Sequence, residues 1–126
     1  MIARILAAIV GLFYTVTGAW SFFLPASFYS TVADFAPYNI HLLRDVGAFQ
    51  VGMGLVLLAA AATGRGLAPA LFGVLMGSLL HLVAHNIDIR LGGHPTTDLP
   101  ALSAIAAVLG VALYLELWRP ARPKQR

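Results

Sequence analysis

The sequence predicts an all-α protein built as a bundle of four transmembrane helices. Of its 126 residues, 60% are hydrophobic and only 10% are charged, which is more apolar surface than a soluble domain of this size can bury. A bilayer removes that difficulty because lipid solvates an apolar exterior. Four apolar segments have about the length that a membrane-crossing helix needs, roughly 20 residues. They lie at 5–24, 42–63, 67–89 and 99–118.

Composition also limits the chemistry that the chain can perform. The sequence has no cysteine, which excludes disulfides, thiolate metal sites, iron–sulfur clusters and thiol redox catalysis. The formal net charge is +3, and four of the eight Lys and Arg residues fall in a short tail at 119–126. A basic tail beside an apolar segment indicates a membrane surface and not a nucleic-acid partner. We therefore interpret residues 1–126 as one integral membrane domain.

Turn and cap residues separate the four apolar segments. Pro25 ends the first segment, and the sequence Gly-Arg-Gly at 64–66 ends the second. Asp98 is placed to cap the start of the fourth segment. Between the first and second segments, Phe28, Val32 and Phe35 recur at roughly helical spacing. This stretch fits a short amphipathic helix in the membrane interface or an irregular loop with aromatic anchors, and the sequence leaves both open.

The basic residues predict how the bundle is oriented. With four crossings, the N-terminus, Arg65 and the tail at 119–126 share one side of the membrane. That side carries most of the positive charge, whereas Arg44 and Arg90 on the other side have acidic neighbours. Because positive residues concentrate in the cytoplasm, we expect both termini to be cytoplasmic and the connections 25–41 and 90–98 to lie outside.

The third segment carries ionisable residues on one face. His81, His85 and Asp88 stand at positions i, i+4 and i+7, which fall on one narrow stripe of a helix. The same stripe continues through Gly73 and Gly77, a GxxxG step that lets another helix approach closely. We therefore expect the stripe to face the interior of the bundle, as the cost of exposing ionisable groups to lipid requires.

The second segment repeats this design with His41 and Asp45 four residues apart and Arg44 beside them. The short connection to the third segment predicts that the two helices are antiparallel neighbours. At 1.5 Å per residue, Asp45 and His85 then lie at a similar depth, about 8–9 Å inside. We predict that six side chains converge on one outward-facing ligand pocket. They are His41, Arg44, Asp45, His81, His85 and Asp88.

Several uses of this cluster are compatible with the sequence. His81 and His85, with Asp45 from the neighbouring helix, could hold a divalent transition metal. The sequence HLVAH lacks the glutamate of HExxH, so a zinc-peptidase mechanism has no support. A plainer interpretation is that histidine–aspartate pairs only pin the second and third helices together. A quinone headgroup or proton-transfer site, a haem between His41 and His85, and a transport path are further alternatives.

Two stretches of sequence resemble a known group. The sequences NIHLLRDVGAFQVGMGLVLLAA and HLVAHNIDIRLGG make the chain similar to the DoxX-like small bacterial four-helix membrane proteins, especially their uncharacterised members. The resemblance implies a multi-pass protein of the bacterial inner membrane. Better-known DoxX proteins are linked to thiosulfate oxidation with a quinone acceptor, so the resemblance adds quinone-linked redox chemistry to the alternatives. It carries over no catalytic residue.

The resulting expectation is a small integral membrane protein whose His/Asp/Arg pocket binds a metal or a small ligand. The alternatives are a structural or accessory subunit and a quinone-linked oxidoreductase or its subunit. Whether the protein is an enzyme stays open at this point. Glycines at 11, 18, 73 and 77 serve either internal packing or association with a second copy or a membrane partner.

Overall fold

The computed structural model describes residues 1–118, so the predicted basic tail at 119–126 lies outside the described residues. Five helices follow one another along the chain: α1 (Ile2–Phe23), α2 (Pro25–Thr31), α3 (Ile40–Thr63), α4 (Leu67–Ile87) and α5 (Pro95–Leu117). Each of them except α2 is long and apolar enough to cross a membrane. The all-α prediction with four spanning helices is confirmed, and the chain is a multi-pass membrane protein.

The helix that starts furthest from its predicted position is α5. It begins at Pro95, four residues before the predicted start at 99, and Asp98 lies inside its first turns. Proline is favoured at the first helical position because the backbone N–H that it lacks would have no hydrogen-bond partner within the helix there. The Asp98 carboxylate instead accepts a hydrogen bond from the backbone N–H of His94 at 2.7 Å. Asp98 is therefore not the N-cap that the sequence predicted.

The four spanning helices associate as two pairs. α1 packs along α3, α4 packs mainly against α5, and a smaller contact between α1 and α5 joins the pairs. α3 and α4 are connected by a tight turn in which Gly64 and Gly66 both have positive φ. They nevertheless contact each other only sparsely. The two helices are therefore in contact, as the prediction of neighbouring helices requires, but each has its main packing partner elsewhere.

Paired glycines explain the tight contact between α1 and α3. A Cβ atom added at Gly18 would lie 2.8 Å from the carbonyl oxygen of Gly47, and one added at Gly11 would lie 3.0 Å from that of Gly54. The two glycines on each helix are seven residues apart, so they fall on one face. Small residues on both faces let the backbones meet, which is how helices associate in the absence of a hydrophobic driving force.

The GxxxG step of α4 does not serve as a close helix contact within the described chain. A Cβ at Gly73 would meet nothing within 4 Å, and one at Gly77 would meet only the Met53 sulfur at 3.9 Å. The expectation that this step brings another helix of the bundle close is therefore wrong. Of the glycines considered above, those of α1 serve internal packing.

Polar contacts also connect the helices. The Tyr14 hydroxyl of α1 and the Ser78 hydroxyl of α4 are hydrogen-bonded at 2.7 Å in the buried interior. Ser21 of α1 donates to the carbonyl oxygen of Leu43 in α3 at 2.7 Å. At the opposite end of the bundle, the Arg4 guanidinium donates to the carbonyl oxygen of Ala61 at 2.5 Å, near the end of α3. These bonds satisfy polar groups that lipid could not.

Candidate functional site

A cavity of about 340 Å³ lies where α1 ends and α3 begins. This end of the bundle is covered by residues 24–39 and 88–94, and we call it the capped end. Most of the cavity wall consists of hydrocarbon and aromatic side chains from α1, α2, α3, α5 and the segment after α2. These residues are Phe13, Phe28, Val32, Ala33, Phe35, Pro37, Leu42, Leu43, Val46, Ala101, Leu102 and Ile105.

The rest of the wall is polar and comes from all four spanning helices together with α2 and the residue before α3. These residues are Tyr14, Thr17, Tyr29, Asn39, Gln50, His81, His85 and Asp98. Neither lysine nor arginine lines the cavity within the described chain. An apolar wall with a few convergent polar groups is the usual character of a small-molecule site.

His81, His85 and Asp98 form a polar chain that runs from the capped end into the cavity. The Nε2 atoms of His81 and His85 are 3.0 Å apart, which is a direct hydrogen bond. His85 Nδ1 lies 3.8 Å from Asp98 Oδ2, and both side chains are largely buried, at 19% and 16% exposure. Asp98 is held by the N–H of His94 at the start of α5. The polar chain therefore joins α4 to α5.

The Asp98 carboxylate determines where the protons of a neutral pair of imidazoles reside. A proton on His85 Nδ1 faces the carboxylate and is favoured electrostatically. His85 Nε2 then carries a lone pair, so its bond with His81 requires His81 to donate from Nε2. The remaining nitrogen, His81 Nδ1, is left as an acceptor. No partner for it lies within hydrogen-bonding distance in residues 1–118.

Gln50 supplies a second unsatisfied acceptor. Its Oε1 atom is buried and has no hydrogen-bond partner within the described residues, and its side chain lines the cavity. Gln50 is ten residues after the start of α3, which places it about 15 Å along the helix from the capped end. A buried polar atom without a partner costs about 1–3 kcal/mol, so a donor that reached this oxygen would be bound favourably.

A roof of loop residues lies over the cavity at the capped end. Phe35 pairs with Gly92 in an isolated antiparallel bridge, and the N–H of Gly93 donates to the carbonyl oxygen of Asp34 at 2.8 Å. The Phe35 ring packs edge-on against the His85 imidazole, with centroids 5.5 Å apart. The two connecting segments are thereby joined directly above the histidines.

Tyr29 adds a further hydroxyl to this roof. Partial desolvation and then the neighbouring Asp34 carboxylate raise its pKa above the usual 10. Tyr29 is therefore protonated at neutral pH.

The six predicted site residues separate into two groups. His81 and His85 line the cavity, whereas His41, Arg44, Asp45 and Asp88 do not. His41 and Asp45 pair with each other along α3 at 3.4 Å, with side chains 85% and 53% exposed. The partner expected for His85 was Asp45, and the structure places Asp98 there instead, because α4 packs on α5 and not on α3.

Asp98, Gln50 and Tyr14 are among the lining residues that sequence reasoning does not assign to the site. The sequence predicts a helix cap at Asp98 and gives Gln50 and Tyr14 no role. Gln50 carried a usable signal, because an amide inside a membrane segment needs a partner or a function. Asp98 carried none, because only the position of α5 beside α4 brings it to His85.

Metal and haem sites receive no support from the geometry. Among residues 1–118, no group of three His, Asp or Glu side chains is arranged to hold a metal ion. Asp45, the third ligand expected beside His81 and His85, is on the exposed face of α3. His41, expected to face His85 across a haem, points away from the cavity lining.

Comparison with known proteins supplies no family for the chain. No family model matches it, and neither a curated protein nor a solved structure is detectably similar to it. The resemblance to DoxX-like proteins therefore stays a prediction from the two sequence stretches, and the functional argument depends on the cavity itself.

Proposed function

We propose that this membrane protein binds a small, mainly apolar molecule that presents a hydroxyl or another hydrogen-bond donor. The observation that carries the proposal is the cavity at the capped end, with its hydrocarbon wall and its two unpartnered acceptors, His81 Nδ1 and Gln50 Oε1. Its volume of about 340 Å³ falls in the range of small-molecule sites, roughly 300–1,000 Å³.

The polar lining favours a neutral ligand head. An anionic head would meet the Asp98 carboxylate, and the lining holds no lysine or arginine to compensate it. A head that only accepts hydrogen bonds can take one from the Gln50 amide N–H, but it leaves His81 Nδ1 and Gln50 Oε1 unsatisfied. A hydroxyl can donate to one of these acceptors and also accept from the Gln50 amide, so phenols and alcohols fit better than ethers or carboxylates.

The geometry gives less support to the other predicted functions. If the predicted cluster only held helices together, His41 and Asp45 would not take part, because that pair lies within α3 and is exposed. A quinone offers carbonyl acceptors, whereas its reduced quinol form offers hydroxyl donors. Of the two redox forms, the quinol is the one whose chemistry matches the unpartnered atoms. Quinone-linked activity is a separate prediction that the same binding assay can examine.

The orientation and location of the protein also belong to this proposal. Arg4 lies at the end of the bundle opposite the cavity, beside the end of α3, and Arg65 lies in the turn at the same end. Positive residues at that end support a cytoplasmic N-terminus and a cavity near the outer surface of a bacterial inner membrane.

The proposal is tested by equilibrium binding to the full chain in lipid nanodiscs. The probes are 4-hexylphenol and its methyl ether, 4-hexylanisole, which adds one methyl group to the oxygen and donates no hydrogen bond. We expect the phenol to bind about tenfold more tightly, because one hydrogen bond contributes about 1–1.5 kcal/mol. A hexyl-substituted benzoquinone and its quinol extend the comparison, with the quinol expected to bind more tightly.

Matched histidine variants locate the effect. His81→Leu is expected to remove most of the preference for the phenol while leaving binding of the anisole in place. His41→Leu changes an exposed histidine outside the cavity and is expected to behave as the wild type. If neither probe binds saturably to the wild type, or if the phenol preference is the same in both variants, the proposed function is wrong.

A further inference from the structure

A second concavity lies beside the cavity, between α1 and α5. This groove has a volume of about 200 Å³ and is lined by Ile9, Val10, Phe13, Ala104, Ile105 and Val108. Phe13 and Ile105 line the cavity as well, so the two spaces share a wall. The groove extends from these two residues toward Ile9 and Val108, about one helical turn further from the capped end.

The groove is built from hydrocarbon alone. Its six lining residues carry aliphatic or phenyl side chains, so nothing in it can bind a polar group. Its outer margin faces the surroundings of the bundle, because Ile9 and Phe13 are both about half exposed, at 58% and 46%. Both residues belong to a helix that is long and apolar enough to cross a membrane. The groove therefore opens sideways into lipid.

At the capped end, the two connecting segments are held together. The Phe35–Gly92 bridge and the hydrogen bond from Gly93 to Asp34 join the two roof segments. The Phe35 ring also fills the space beside Gly93, where an added Cβ would lie 2.8 Å from the ring. A ligand dissolved in the bilayer can enter the groove from the side, past the exposed residues Ile9 and Phe13.

We infer that the ligand of the cavity is a lipid-dissolved molecule with a single linear hydrocarbon chain, and that this chain lies in the groove between α1 and α5. The inference deepens the proposed function and rests on it, since the polar head is the group held at His81 and Gln50. Phe13 and Ile105 line both spaces, so a ligand whose head lies in the cavity passes these two residues where its chain enters the groove. A groove of about 200 Å³ admits one chain and not a fused-ring body.

Chain length and a filled groove provide the test. The full chain in nanodiscs is titrated with 4-ethylphenol and with 4-decylphenol, and affinity is expressed per mole of lipid so that partitioning into the bilayer cancels. The variant Ala104→Phe places a ring in the groove at a position that is already exposed. The control Ala107→Phe makes the same change at an exposed position of α5 outside both spaces.

We expect the wild type and Ala107→Phe to bind both phenols with similar affinity. Ala104→Phe is expected to bind 4-ethylphenol as the wild type does and to lose roughly tenfold or more in affinity for 4-decylphenol, because the ring overlaps the chain. Equal loss for both phenols, or no loss for either, overturns the inference while leaving the proposed function intact. If the wild type binds neither phenol, the proposed function fails as well.

Photolabelling of the wild type gives a second measurement that does not depend on the variant folding. A 4-alkylphenol of ten chain carbons with a diazirine at the chain end is expected to label peptides containing Ile9 or Val108. An excess of 4-decylphenol should compete this labelling away. Competable labelling confined to α3, or to the roof residues 24–39, would contradict the placement of the chain.

Discussion

Replacing Gly47 by alanine tests the glycine-mediated packing of α1 on α3. The new Cβ would lie 2.7 Å from the carbonyl oxygen of Gly18 and 2.7 Å from the backbone nitrogen of Phe22. Both distances are about 0.7 Å below the 3.4 Å at which ordinary contact begins. Because both neighbours are backbone atoms, relief requires α1 and α3 to separate over part of their length. Overpacking of this kind costs about 1–3 kcal/mol.

Gly73→Ala is the matched control, because its Cβ would meet nothing within 4 Å. Alanine is also the better helix former, so stability is expected to be unchanged or raised by up to about 1 kcal/mol. The free energy of unfolding of both variants can be measured by reversible denaturation in mixed dodecyl sulfate and maltoside micelles. Equal stabilities, or a larger loss for Gly73→Ala, would refute the assignment of the close interface to α1 and α3.

Three further predictions concern the polar groups. A double-mutant cycle of Tyr14→Phe and Ser78→Ala should give a coupling free energy of about 0.6–1.7 kcal/mol in unfolding experiments, as for other hydrogen bonds between membrane helices; a coupling of zero would mean that the bond contributes nothing. Substituting His41 and Asp45 together by alanine should change the unfolding free energy by less than about 0.5 kcal/mol, because the pair is exposed. Binding of 4-hexylphenol should be unaltered. A loss of binding would mean that the pair belongs to the binding site. Asp98→Asn keeps the hydrogen bond from the His94 backbone N–H but removes the charge that orients His85. The affinity for 4-hexylphenol should therefore fall about three- to tenfold in the nanodisc assay. An unchanged affinity would mean that Asp98 does not contribute to the site.

The fold could be predicted from sequence because the bilayer imposes a length and a composition on every spanning helix. The third segment, predicted at 67–89, corresponds to α4 at Leu67–Ile87. The helix pairing could not be predicted in the same way. A short turn requires two helices to run antiparallel, but it does not require them to pack closely. The glycines of α1 and α3 decide the packing, and they lie in segments that are not consecutive.

The candidate site was predicted in part, since His81 and His85 lie at the cavity. Helical periodicity placed the two imidazoles on one face, and their hydrogen bond follows from the spacing of four residues. The carboxylate partner was assigned to Asp45 because α3 was taken as the neighbour of α4. The physical partner is Asp98 of α5, which only a knowledge of the helix arrangement could have identified.

The most direct test of the site is the protonation pattern of its two histidines with and without a ligand. Nitrogen NMR of the histidine-labelled protein in nanodiscs, assigned with His81→Leu and His85→Leu variants, reports which ring nitrogens carry protons. With both imidazoles neutral and His85 Nδ1–H turned toward Asp98, we expect Nε2–H at His81 and Nδ1–H at His85. Binding of 4-hexylphenol should then shift the His81 Nδ1 resonance as expected for an acceptor. A proton on His81 Nδ1 in the free protein, or saturable binding that leaves this resonance unmoved, would contradict the account.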